Sequence, residues 1–160
     1  MTDTSKKTIV LFSGDLDKVL AAFVIANGAA AMGDDVTIFF TFWGLNVLRK
    51  SDKVTVGGKG ALQKAFAGMM PRGAERLSLS HMNFGGMGRR LMKKMMRDHN
   101  VSSISEFIAM AQEQNIKFIA CTMSMDVMGI TRDELIDGLE FAGVATYLGE
   151  ADEANVNLFI

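Results

Sequence analysis

The sequence predicts a three-layer α/β domain with a mostly parallel sheet, flavodoxin-like or Rossmann-like in outline, formed by residues 1–160 as a single domain. Three observations carry this reading. Short apolar runs rich in β-branched and aromatic residues alternate with segments whose apolar residues recur at three and four, and a strand–helix–strand order requires parallel pairing. The run VTIFFTFW at 36–43 is apolar on both faces, as a strand covered from both sides must be. At 160 residues the chain can bury about 70% of the surface its unfolded form exposes, so a core forms without staples.

The elements follow in order. KTIVLF at 7–12 is a short buried strand, closed by Ser13-Gly14-Asp15. Leu16, Val19, Leu20, Phe23 and Val24 share a helix face over 16–32, and Gly33-Asp34-Asp35 ends it. Residues 36–43 form the next strand. Ser103-Ile104-Ser105-Glu106 is a capping box: the serine accepts from the backbone of Glu106, and the glutamate reaches back. It opens a helix over 104–114 with Asn115 just beyond its end. Residues 117–121 are a strand, and 122–128 a short turn of helix stopped by Gly129. Thr131-Arg132-Asp133-Glu134 reads as a second capping box, opening a helix that turns Leu135, Ile136, Leu139 and Ala142 inward and ends at Gly143. Strands are expected at 144–148 and 156–160.

Residues 49–100 interrupt this regularity as a helical insertion between the second and third sheet strands, with helices at 59–68 and 88–98 and a turn region from Pro71. Long excursions of this kind serve function or interfaces. Seven basic residues lie between Arg72 and Arg97, among them Arg89, Arg90, Lys93, Lys94 and Arg97, and the methionines gather in the same stretch. The segment RRLMKKMMRD sets Leu91, Met92, Met95 and Met96 against the cations. Packing on its own domain or on another subunit is one use of such a helix; an anionic membrane or an acidic partner is another.

Several classes are excluded or disfavoured. A net charge of −1 gives no case for nucleic acid. One cysteine forms no intramolecular disulfide, and the run Ile9 to Phe12 is too short for a signal peptide, so a soluble cytoplasmic protein is expected. Val56-Gly57-Gly58-Lys59-Gly60 lacks the spacer and hydroxyl of a phosphate loop. Gly86-Met87-Gly88-Arg89-Arg90-Leu91 has leucine where the dinucleotide fingerprint needs glycine. No nucleotide cofactor is implied, and neither His81 nor His99 has zinc-ligand spacing to Cys121.

Cys121 is the candidate reactive residue because of its place. It ends a strand at the edge where open α/β sheets bind ligands, and the short helix that follows directs backbone N–H groups toward it. The alternative is a small hydrophobe buried at a strand end. Gly14, Trp43 and Gly44 lie at the same expected edge and could line a small-molecule crevice with Cys121, the flavodoxin-like reading.

The stretch FIACTMSMDVMGI, with the opening KTIVLFSGDLDKVLAAFVIANGAAAMGDDVTIFFTFWGL and the ending ATYLGEADEANVNLFI, resembles the DsrE/DsrF-like family of sulfur-relay proteins, in a branch with a methionine-rich insertion. The resemblance spans nearly the whole chain; its most specific part is the cysteine followed by Met123, Ser124, Asp126, Met128 and Gly129. It implies a homo-oligomeric α/β domain that acts as a sulfurtransferase or sulfur carrier; persulfide transfer itself calls for no cofactor, and no metal site is expected. Cys121 would accept sulfane sulfur as a persulfide from a rhodanese-like donor and pass it to a small carrier protein. Thr122, Ser124 and Asp126 would shape the pocket, with Asp126 capping the short helix or selecting the partner. The competing expectation is a noncatalytic oligomeric interaction module that uses the basic, methionine-rich insertion, with Cys121 structural.

Overall fold

The computed structural model describes residues 4–52 and 60–160. Among the described residues, five strands form one sheet in the order β4-β3-β2-β1-β5. They are β1 (Lys6–Leu11), β2 (Asp35–Phe40), β3 (Lys117–Cys121), β4 (Glu140–Ala142) and β5 (Val156–Phe159), and every neighbouring pair is parallel. The helices are α1 (Leu16–Ala31), α2 (Ala61–Met69), α3 (Met87–Asp98), α4 (Ile104–Glu113), α5 (Thr122–Met128) and α6 (Val144–Asp152). Helices on both sides of a parallel sheet make this an α/β fold, as the alternating pattern requires.

Strand alternation divides the core. Ile9, Leu11, Ile38, Phe40, Phe118 and Ala120 face α1 and α4 and belong to the main core. Phe23 of α1 meets Phe40 and Phe118 with ring centroids 6.3 and 6.0 Å away, and Phe40 and Phe118 lie edge-on at 5.2 Å. Val10, Phe39, Ile119 and Cys121 point to the other face and form a smaller cluster packed by Ala142 and by Tyr147 of α6. The Tyr147 ring stacks on Phe39 at 5.0 Å. No residue of α6 is itself fully buried, so this layer is the thinner one. Its fastening is electrostatic: Glu150 reaches Lys6 at 2.7 Å and Lys117 at 2.6 Å, joining α6 to the starts of β1 and β3.

The Ser103–Glu106 capping box forms in both directions, and Asn115 takes the left-handed conformation after α4. Three expectations are corrected. The second strand stops at Phe40, because Phe42 adopts a positive φ of 45° and the chain curls into a 3₁₀ helix over Phe42–Leu48; Trp43 is therefore not in the sheet. The Thr131–Glu134 pattern opens no helix. Only one 3₁₀ turn, Arg132–Glu134, forms before Leu135 extends, and the Glu134 side chain turns inward to Arg49. Gly138, at φ +82°, then leads into β4, so Ala142 lies on a strand. The last correction is residues 144–148, which are helical as part of α6.

Candidate functional site around Cys121

Cys121 closes β3 at the carboxyl edge of the sheet and sits immediately before the first residue of α5. Gly129, with φ +67°, stops α5 as expected. Only 2% of Cys121 is exposed, since its side chain belongs to the cluster under α6. The thiol therefore stands at the carboxyl edge of the sheet and is also packed as a hydrophobe.

The surroundings of α5 are built by close approach. Thr41, just past β2, and Ser124 in α5 are both buried, and their hydroxyl oxygens lie 2.7 Å apart. A Cβ on Gly44 would fall 2.1 Å from the Leu11 carbonyl oxygen, and the Gly44 N–H donates to the Phe12 carbonyl at 2.9 Å. Only a glycine allows the 3₁₀ segment to cross the end of β1 this tightly. Gly14 meets the Trp43 backbone in the same way, with its would-be Cβ 2.7 Å from the carbonyl oxygen. Gly14 and Trp43 also line a cleft of about 380 Å³ with Phe12, Lys18 and Asn46. The Trp43 ring packs on Phe66 of α2 at 6.0 Å.

The expected site residues thus occupy different positions. Thr122 and Ser124 lie within the first turn after Cys121, and Gly44 shapes the strand edge beneath. Gly14 and Trp43 open on the separate cleft at the end of β1. Asp126 is exposed in the last turn of α5, so it does not cap that helix; its backbone carbonyl accepts from Gln63 Nε2 at 3.0 Å. Gln63 belongs to α2, which places the first helix of the excursion against α5. Sequence reading missed Thr41 and Gln63, because each acts through a partner at least sixty residues away.

The basic helix α3 lies elsewhere. Lys93 binds Glu75 at 2.6 Å, and Arg89 donates to the Arg76 carbonyl at 3.0 Å. Arg90, Lys94 and Arg97 are exposed. Met96 is buried, whereas Met82, Phe84, Met87, Leu91 and Met95 are exposed along an apolar groove of about 390 Å³. His81 lines that groove, His99 is exposed, and no group of three or more metal-ligating side chains occurs among the described residues. No described strand leads directly into the Gly86–Leu91 run, and Val56 to Lys59 lie outside the described residues. No described helix is long and apolar enough to cross a membrane.

A family model described as the DsrE/DsrF/DrsH-like family matches residues 3–159. The chain belongs to this family. It is 55% identical over its full length to an uncharacterized protein, YrkE, from Bacillus subtilis, which it also covers completely. With Sulfur carrier protein DsrE2 from Allochromatium vinosum it shares 36% identity, with 99% of each chain covered. Among solved structures, the ychN protein from E. coli superposes with a TM-score of 0.55 at 14% identity, covering 97% of this chain and 99% of that one. A protein of unknown function from Methanobacterium thermoautotrophicum gives 0.57 at 12%, covering 96% and 98%. At that identity the structures attest the shared fold alone.

Proposed function

We propose that this DsrE-like protein is a sulfur carrier or sulfurtransferase that holds sulfane sulfur on Cys121 as a persulfide and passes it to a thiol of a partner protein. One observation carries the reading: the chain's only thiol stands at the carboxyl edge of the sheet, at the junction of β3 and α5. The relative named as a sulfur carrier supports it.

The chemistry suits a single cysteine. The Cys121 thiolate attacks the outer sulfur of a donor persulfide; a new S–S bond forms, the donor's S–S bond breaks, and the donor leaves as a thiolate. An acceptor thiolate then attacks the outer sulfur on Cys121 and regenerates the Cys121 thiolate. Nothing is oxidised or reduced overall, and no cofactor or metal takes part. Because Cys121 is packed under α6, the exchange includes a local opening of that thin layer, which rests on partly exposed contacts and ion pairs. Free thiol chemistry of this kind belongs in a reducing compartment such as the cytoplasm. Exposed Val144, Leu148 and Phe159 on the α6 side support self-association there.

The test uses a rhodanese charged from thiosulfate carrying labelled sulfane sulfur. Label is expected to move to this chain and then to an acceptor thiol, and to stop at the donor with Cys121→Ser. A chain that takes no label, beside a known carrier that does, overturns the reading.

A second reading rests on the methionine-lined groove: an interaction module that docks an acidic partner protein, with exposed Arg90, Lys94 and Arg97 on α3, the helix that supplies Met87, Leu91 and Met95 to the groove, Lys94 being paired with Asp98, and Cys121 structural. In that case Met87→Asp abolishes partner capture while Cys121→Ser leaves it unchanged.

A further inference from the structure

We infer that a second site, a cleft between α4, the segment 72–76 and the approach to β4, binds a small organic oxyanion with an apolar body. The cleft measures about 680 Å³, well beyond what a lone inorganic ion fills and within the range of small-molecule pockets. Arg49, Arg72 and Arg76 all line it.

Backbone geometry brings these arginines together. Gly73 adopts φ +83°, its N–H donates to the Asn46 carbonyl at 2.9 Å, and a Cβ there would stand 2.8 Å from the Arg49 carbonyl oxygen. Only glycine permits that approach, and it sets Arg72 and Arg76 beside Arg49 in one wall.

The charges do not cancel within the cleft. Arg49, 2% exposed, gives one guanidinium nitrogen to Glu134 at 3.1 Å and another to Asn46 at 3.3 Å, and its buried Nε has no acceptor among the described residues. A buried N–H donor without a partner is costly and unusual. Two carboxylates also line the cleft, and both are engaged. Glu75 is held by Lys93 at 2.6 Å and by Ser105 at 2.7 Å, and Asp137, fully exposed, pairs with Lys50 at 3.4 Å. The side chains of Arg72 and Arg76 make no hydrogen bond or ion pair among the described residues, which leaves two uncompensated cations at the rim. Arg89 donates to the Arg76 carbonyl and adds positive charge behind it. Val47, Ile108 and Ile136 supply the apolar wall.

Planar guanidinium groups grip the paired oxygens of phosphate, sulfonate and carboxylate groups. The ligand class is therefore an oxyanion head on an apolar body. The site is independent of Cys121, which does not line the cleft.

Calorimetric titration at low salt with phenyl phosphate and with inorganic phosphate tests the site on the full chain. Phenyl phosphate is expected to bind, more tightly than inorganic phosphate, and Arg72→Ala with Arg76→Ala to weaken it by at least about tenfold. Neither substitution removes an internal partner, so the melting temperature should hold, and Arg90→Ala on α3 should bind as the parent does. Absence of phenyl phosphate binding at millimolar concentration, or equal binding by parent and double variant, overturns the assignment; equal affinity for the two probes overturns the apolar body.

Discussion

The hydroxyl oxygens of Thr41 and Ser124 lie 2.7 Å apart with both residues buried, which fastens α5, the helix that begins beside Cys121, to the end of β2. The contact joins residues 83 positions apart, so it is a tertiary anchor for the site. Ser124→Ala leaves a buried hydroxyl on Thr41 and is expected to cost about 1–3 kcal/mol. Adding Thr41→Val removes the orphan, so urea denaturation of the double variant should show less destabilisation than the sum of the single changes.

Glu134 and Arg49 are 0% and 1% exposed at their side chains. Glu134→Ala strands a buried guanidinium, and a loss of about 3–5 kcal/mol in denaturant unfolding is expected. A loss below about 1 kcal/mol would mean that water or another group reaches Arg49.

That pair also explains where sequence reading ended. The capping box at Ser103 and Glu106 was legible because both partners lie within one turn, and the same locality made α1, α4, β1, β3 and the Gly129 stop readable. Thr131–Glu134 has the same local pattern, but Glu134 is claimed by Arg49, 85 residues away, and the local signal loses to a buried ion pair. The segment after Gly143 reads as a strand because Val144 to Leu148 is short and apolar. It folds as a helix whose Tyr147 covers Phe39 and whose Glu150 reaches two lysines, contacts no local pattern encodes. At the site, the position of Cys121 was legible from strand and turn chemistry. Its burial was not, because burial depends on how α6 lies.

The Glu150 anchor predicts a pH dependence. Hydrogen bonds from Lys117 and then Lys6 hold the Glu150 carboxyl below its usual range, while Glu150 raises both lysines above theirs. A depressed carboxylate stabilises the fold above its unfolded value, and that contribution is lost as pH falls through the folded value. Raised lysines contribute below their unfolded values and lose it as pH rises through the folded ones. Thermal melts from neutral to acidic pH should therefore lose stability below the ordinary glutamate range, with a shallower loss for Glu150→Gln, and high salt should shrink the difference.

Tyr147 packs on the cluster that holds Cys121. Tyr147→Ala should speed alkylation of Cys121 in the folded protein by about tenfold, the factor that accompanies about 1.4 kcal/mol less cost of local opening. An unchanged rate would show that the thiol is reached from a side other than α6.

Whether Cys121 carries sulfur is read from the intact mass of the purified protein after exposure to a low-molecular-weight persulfide donor. The expected result is a gain of one sulfur atom that reductant removes and that Cys121→Ser never shows. An unchanged mass, with the thiol equally resistant to alkylation in the folded state, would contradict it and return Cys121 to the core as a packing residue.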